Sequence, residues 1–395
     1  MLKHLFKLIW NKRKQNVLFL SEILVSFAVI FAVMSMLVNY YLNYSKPSGI
    51  EYERVWSVSY RNPLKTENRD SLSLFYENIR RALKAMPQVR EVTYSSANFP
   101  YSGSVSTTGF SYKGNNLNPI NTYMVEDDYQ KVLGMKLVEG RWFNSDQDRL
   151  NAVKPMVINT SLKRAMFGDD AAAGKTVQAD DEKERWKIIG VVEDVKADGD
   201  YRPTGPAFYR KIDTASFSWL GNLLIKVGPD ADAAFESKMS KLLSSMMQNT
   251  DLEIRHMDEM RDSKNGETII PVIIFMTVAG FLIFNVALGL FGVLWYNISQ
   301  RRAEIGLRMA IGASSGSISG QLVSESLLLA SLSLVVGTFF AIQFPLLSVF
   351  NVPAGVYLIA LLLSILFIYL LVIFCAFYPG RQAAAIHPAI ALHEE

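Results

Sequence analysis

From Ile269 to Gln300 the chain runs 32 residues without a charged side chain. Two other stretches come close: Val17–Tyr41 carries only Glu22, and Met309–Gly380 carries only Glu325. Nearly all the remaining charge lies between Glu51 and Glu267. A soluble fold interleaves polar and apolar residues at helix or strand period, so this segregation excludes a single soluble globule. With 50% hydrophobic and 12% aromatic residues, disorder is excluded as well. What remains is a membrane protein with one large water-exposed insert.

About 20 apolar residues cross the hydrocarbon core as a helix. Four spans are expected, at residues 17–42, 269–298, 318–344 and 354–379. The last two are separated by a turn holding Pro345, Asn351, Pro353 and Gly355. The first span is too long for the apolar run of a signal peptide, and no small-residue cleavage site follows it.

Basic residues set the orientation. Lys3, Lys7, Lys12, Arg13 and Lys14 precede the first span, Arg301, Arg302 and Arg308 follow the second, and Arg381 follows the fourth. These segments are expected in the cytoplasm, with both termini there and the insert outside. Within residues 1–16, Leu2, Leu5, Phe6, Ile9 and Trp10 recur at helical spacing beside Lys3 and Lys7, the pattern of an amphipathic helix on membrane lipid. The insert, residues 43–268, holds 31 basic and 32 acidic residues, so a nucleic-acid partner is not expected. The one cysteine, Cys375, lies in the fourth span, so the insert relies on its core rather than on disulfides.

The insert opens with a strand from Val55 to Tyr60 whose Trp56, Val58 and Tyr60 share a face. A helix follows over about Ser71–Met86, striped by Leu72, Phe75, Ile79, Leu83 and Met86, and then a strand over Val89–Tyr94. The end of the insert repeats that order: strand Leu223–Val227, helix Asp230–Met247, strand Leu252–Arg255. These two strand–helix–strand halves, at about 51–96 and 222–256, are expected to pair into one membrane-proximal module. The glycine-rich middle, about 99–217, with strands at Pro155–Asn159 and Trp186–Val192, reads as a mostly β second lobe. The fold class expected is an α-helical membrane protein with four transmembrane helices. A large α+β extracytoplasmic domain of two lobes is inserted between helices 1 and 2.

Sites for chemistry are scarce. Gly168–Thr176 looks like a phosphate loop but has five residues between its glycines where the motif needs four, and its aspartates would repel phosphate. It reads instead as a loop leading into a strand at Lys175–Gln178. The four histidines, His4, His256, His387 and His393, stand apart and give no metal-ligand spacing. The chain is expected to bind no cofactor or metal and to catalyse nothing alone. Two acids lie within spans, where ionisable groups face a bundle interior or a partner. Glu22 lies about one turn inside the cytoplasmic edge, where it can snorkel. Glu325, near the start of the third span, suits a capping or interface role.

The segment Arg301-Arg302-Ala303-Glu304-Ile305-Gly306-Leu307-Arg308-Met309-Ala310-Ile311-Gly312-Ala313 resembles the loop after the second span in FtsX/MacB-type ABC transporter permeases. The tail from Tyr378 to Leu392 is similar to their ending, apart from Gly380 where alanine is more usual. The phrases Tyr129–Phe143, Val157–Gly168, Gly174–Val177 and Ile188–Val195 resemble those of their periplasmic domains, in matching order. The resemblance implies a MacB-like periplasmic core domain on an inner-membrane permease. MacB itself carries a nucleotide-binding domain, so the resemblance further implies a separate permease subunit served by a cytoplasmic ABC ATPase that holds ATP and Mg. It also implies a second permease chain, as homo- or heterodimer, with a periplasmic adaptor and an outer-membrane channel. The implied function is mechanotransmission, in which ATP-driven motion of the spans moves the outer domain to export peptides, toxins or antimicrobials. Related designs release lipoproteins or regulate cell-wall hydrolases; the long outer domain favours export over wall regulation. A sensor without transport is a further alternative.

Residue patterns fit this picture. As a helix, Ile269–Gln300 would measure about 48 Å against a hydrocarbon core of about 30 Å, so it is expected to protrude as a stalk. Gly280, Gly289 and Gly292 would allow close helix approach at a dimer seam. The cytoplasmic loop, residues 299–317, is expected to dock as a short helix in an ATPase groove through Arg301, Arg302, Glu304, Ile305, Gly306, Leu307 and Arg308, with Gly312 in the same motif.

Overall fold

A computed structural model of the chain describes residues 13–61, 68–148, 153–178, 185–212, 220–247 and 250–384. They fall into two compact units: residues 43–268, and the segments flanking them on either side. Helix α1 (Arg13–Tyr44) carries the first apolar run. The amphipathic helix expected over residues 1–16 lies outside the described residues as far as 12.

The inserted unit begins with β1 (Val55–Tyr60), α2 (Arg69–Lys84) and β2 (Val89–Ser95). Asn68 caps α2, its side chain accepting from the amides of Asp70 and Ser71, while Arg81 and Lys84 complement the last turn. Leu72, Tyr76, Ile79 and Leu83 form the buried stripe that lays α2 on the sheet. The middle contributes β3 (Thr107–Tyr112), β4 (Asn115–Val125), α3 (Tyr129–Leu133), β5 (Leu137–Gly140) and α4 (Ser145–Asp148). It continues with β6 (Lys154–Asn159), α5 (Thr160–Phe167), β7 (Thr176–Gln178), β8 (Arg185–Val192) and β9 (Ala207–Lys211). The unit closes with β10 (Asn222–Val227), α6 (Ala233–Met246) and β11 (Leu252–His256).

The strands make one 11-stranded sheet of order β11-β1-β10-β2-β4-β9-β6-β8-β5, with β3 on β4 and β7 on β8. Strand β1 lies between β10 and β11, so the two strand–helix–strand halves interleave. Strands β11, β1, β10 and β2 with α2 and α6 are lobe 1. Its core joins Trp56, Val58 and Tyr60 to Leu72, Ile79 and Leu83 of α2 and to Phe235, Met239 and Leu243 of α6. Lobe 2, strands β3 to β9, is not a separate body. Ser95 pairs with Val125 across the junction, and a second core runs beneath it from Val55 and Leu224 to Tyr123, Tyr129, Trp142 and Tyr209. On the α2 side, Arg80 reaches Glu126, just past β4, at 2.6 Å.

Helix α7 (Met257–Gln300) starts twelve residues before the apolar run. That polar lead-in is helical for local reasons. Asp258 and Glu259 occupy its first turn, Lys264 pairs with Glu267 at 3.2 Å, and Met257 and Met260 anchor it in the inserted unit's core. Next come α8 (Arg302–Ala310), α9 (Ser315–Ala341), α10 (Gln343–Leu346) and α11 (Ala354–Ala384). Among the described residues, four helices are long and apolar enough to cross a membrane: α1, α7, the helical stretch Gly316–Leu346, and α11. Phe19, Ile23 and Phe27 of α1 pack with Leu290 of α7, Leu334 of α9 and Ile368 of α11. Ser333 of α9 donates to the Leu20 carbonyl of α1 at 3.0 Å.

Candidate coupling site

The Arg301–Ala313 motif forms a short helix, α8, folded back on the start of α9. Gly312 sets its end. With φ +99° it adopts a conformation costly for other residues, and its amide and that of Ala313 return to the carbonyls of Met309 and Arg308. Ser314 then caps α9 by accepting from the amide of Ser317.

A polar ladder holds the two helices together. Arg301 Nη1 donates to Glu325 Oε2 at 2.7 Å, and Gln321 Nε2 donates to Glu325 Oε1 at 3.0 Å. Arg308 Nη1 donates to Gln321 Oε1 at 2.9 Å, while Arg308 Nη2 reaches Glu304 at 2.6 Å. The side chains of Arg301 and Glu325 are each 17% exposed, so water screens this pair only in part. Glu325 therefore has a partner that sequence spacing did not show. Beneath the ladder, Ile305 packs with Ile298 and Ile318.

This packing revises the expected docking surface. Ile305 and Gly306 are buried within the chain's own fold, so neither is free to enter a partner's groove. Leu307 and Ile311 point outward instead, with Ile311 78% exposed. Ile311 was not singled out from the sequence; its signal was its place four residues beyond Leu307, on the same helical face. Glu304 stays exposed, Arg301 and Arg308 are committed to the ladder, and the side chain of Arg302 lies outside the described ones.

The three glycines of the expected seam divide. A Cβ on Gly289 would lie 1.7 Å from Glu22 Oε1, so this glycine admits the acid of α1 in the same chain. Gly280 and Gly292 meet nothing within 4 Å. Within its most apolar window α7 is 6% buried, against 33–39% for the other three spans, so it is the span least covered by its own chain.

The phosphate-loop look-alike at Gly168–Thr176 is satisfied from inside. Glu139 accepts from the amides of Ala172 at 2.9 Å and Ala173 at 3.3 Å, and pairs with Lys163. The Lys163 ammonium, with those two amides, holds the Glu139 carboxyl below the usual carboxylate range. The donors that would cradle a phosphate already hold a carboxylate. Among the described residues no cluster of His, Cys, Asp or Glu is arranged for a metal.

The MacB-like periplasmic core domain matches residues 19–242, and the FtsX-like permease C-terminal region matches residues 276–388. The chain belongs to the MacB/FtsX-like permease family. Among curated relatives, this permease is 27% identical over 240 residues to the macrolide export ATP-binding/permease protein MacB of Aggregatibacter actinomycetemcomitans, across 59% of the chain and 36% of that protein. It is 25% identical over 330 residues to the protein of the same name from Mannheimia succiniciproducens, across 80% of the chain and 48% of that protein. The permease thus spans less than half the length of these relatives. The crystal structure of the periplasmic region of MacB from Actinobacillus actinomycetemcomitans is 20% identical with a TM-score of 0.39, covering 54% of this chain and 94% of that one.

Proposed function

We propose that the chain is the permease subunit of a MacB-like ABC transporter in a cell inner membrane, with its termini cytoplasmic and the inserted unit periplasmic. A separate cytoplasmic ABC ATPase, carrying ATP and Mg, docks on α8 through Leu307 and Ile311. Two permease chains associate, and nucleotide-driven motion of the spans is passed to the inserted unit. That motion serves export of peptides, toxins or antimicrobials from the periplasm, with an adaptor and an outer-membrane channel.

One observation carries this reading. The α8 helix of an FtsX-like permease region is braced from behind by charge-assisted bonds and presents two exposed apolar side chains. A loop needed only for membrane topology requires its arginines but no bracing and no apolar face. The test is co-purification of the ATPase with full-length Leu307→Asp and Ile311→Asp variants. Loss of the ATPase from an intact permease is expected, and retention in both variants would refute the docking surface. Because Ile305 is buried, Ile305→Asp would confound docking with folding.

A further inference from the structure

Within the inserted unit, the loop of residues 193–201 after β8 grips two helix ends at once. Lys196 is 3% exposed, and its ammonium donates to the carbonyls of Tyr44, at 3.3 Å, and of Lys46. Tyr44 is the last residue of α1, where carbonyls lack helical partners and the helix dipole favours a cation. The Lys196 amide also donates to Ser48 at 2.9 Å. Tyr201 stacks on Tyr44 at 5.3 Å, and its carbonyl accepts from Asn43 at 3.2 Å.

Four residues past Lys196, Asp200 turns to the other helix. It is 4% exposed and accepts from Arg261 and, at 2.9 Å, from Asn265, both in the first turns of α7. The Asp200 amide returns a bond to Asn265 Oδ1 at 2.8 Å. Gly199, at φ +92°, makes that approach possible, since a Cβ there would lie 2.8 Å from Asn265 Oδ1. The loop is as firmly tied behind. Asp194 accepts from the amide and hydroxyl of Ser161 at the start of α5, at 2.8 and 2.7 Å.

Two opposite charges are thus buried on one loop, each spent on a different helix. Burial of an ion is costly unless it is well bonded, so a connecting turn gains nothing from this arrangement. The covalent route from these helix ends leads elsewhere: α7 follows directly on β11, and α1 leads through residues 45–54 to β1, both in lobe 1. We propose that the 193–201 loop is a clamp that couples lobe 2 to the ends of α1 and α7, with Lys196 and Asp200 as its positioning residues. The proposal rests on the transmission reading above. Lobe 1 receives motion through the chain, and the clamp gives lobe 2 a direct grip on both helix ends beside the core it shares with lobe 1.

The test is hydrogen–deuterium exchange on the full chain with its ATPase in nanodiscs, with and without ATP and vanadate. In wild type, nucleotide is expected to change exchange in β1 and β11 of lobe 1 and in β6 and α5 of lobe 2. In Asp200→Asn the lobe 2 change is expected to shrink several-fold relative to the lobe 1 change, which persists, with nucleotide-free exchange of lobe 2 as in wild type. Should Asp200→Asn disturb lobe 2 itself, Asn265→Ala weakens the grip from the α7 side and leaves the loop sequence intact. A lobe 2 response that persists undiminished in a folded variant overturns the clamp alone. No nucleotide response anywhere in wild type overturns the transmission reading, and the clamp with it.

Discussion

Replacing Glu325 with alanine should release α8 from α9. The change removes the acceptor for Arg301 at 2.7 Å and for Gln321 at 3.0 Å, and leaves a guanidinium only 17% exposed without its carboxylate. Hydrogen bonds to charged groups contribute about 1.5–3 kcal/mol. Partial access of water lowers the upper end, so a loss of about 2 kcal/mol is expected. That is roughly a 30-fold shift toward the open arrangement, since about 1.4 kcal/mol is a factor of ten. The assay is amide exchange in the purified full chain. Protection across α8 should fall about 30-fold while α2, in the inserted unit, keeps its rates. Arg301→Ala should have a similar effect, and the double variant should be little worse than either single one, as for partners in one bond. Unchanged protection of α8 in Glu325→Ala, or strict additivity of the two changes, would refute the ladder as the brace.

Other expectations follow from the packing and the charges. Gly337→Ala would set a Cβ 2.5 Å from the Phe27 ring, itself 2% exposed, and should lower stability by about 1–3 kcal/mol, read as a drop in thermal midpoint in detergent. Arg80→Met should cost about 3 kcal/mol by removing the cation beside Glu126, whereas Arg80→Met with Glu126→Leu should recover only part of it in denaturant unfolding, because the Tyr94 amide loses its acceptor. Glu139, its pKa held below the ordinary 4.5, contributes stability that is present above about pH 4.5 and lost as pH falls through the lower folded value. Glu139→Gln should therefore flatten the acid side of the stability profile and speed exchange at the Ala172 and Ala173 amides.

The large features were legible because they depend on local composition. Three nearly uncharged runs mark the spans, and period-two and helical stripes mark the halves of lobe 1. The polar start of α7 escaped notice because it carries no apolar stripe; its helicity comes from terminal charges and from Met257 and Met260. At the coupling site the helix was readable but its facing was not. In a helix as short as Arg302–Ala310, Ile305 and Leu307 are equally apolar, and only contact with Ile298 and Ile318 decides which turns inward. The partner of Glu325 is not readable from spacing because Arg301 lies 24 positions away, and Gly289 reads as seam material because Glu22 is remote in sequence. The clamp was illegible for the same reason: Lys196 and Asp200 stand among other charges in an ordinary loop, and their partners come from both ends of the insert.

The interleaving of lobe 1 also sets an order of assembly. Strand β1 is made early, yet its neighbours are β10 and β11, with Val55 opposite Lys226 and Trp56 opposite His256. The entropy of closing so long a loop grows only with the logarithm of its length, so the obstacle is waiting time rather than stability. Lobe 2 draws its strands from the contiguous stretch between Thr107 and Lys211 and has its pairing set complete first. Until β10 emerges, both backbone edges of β1 lack their strand partners, a state prone to non-native pairing. A chain halted after β9 would hold the paired strands of lobe 2 over a core still lacking Leu224, Met257 and Met260, beside the open edges of β1.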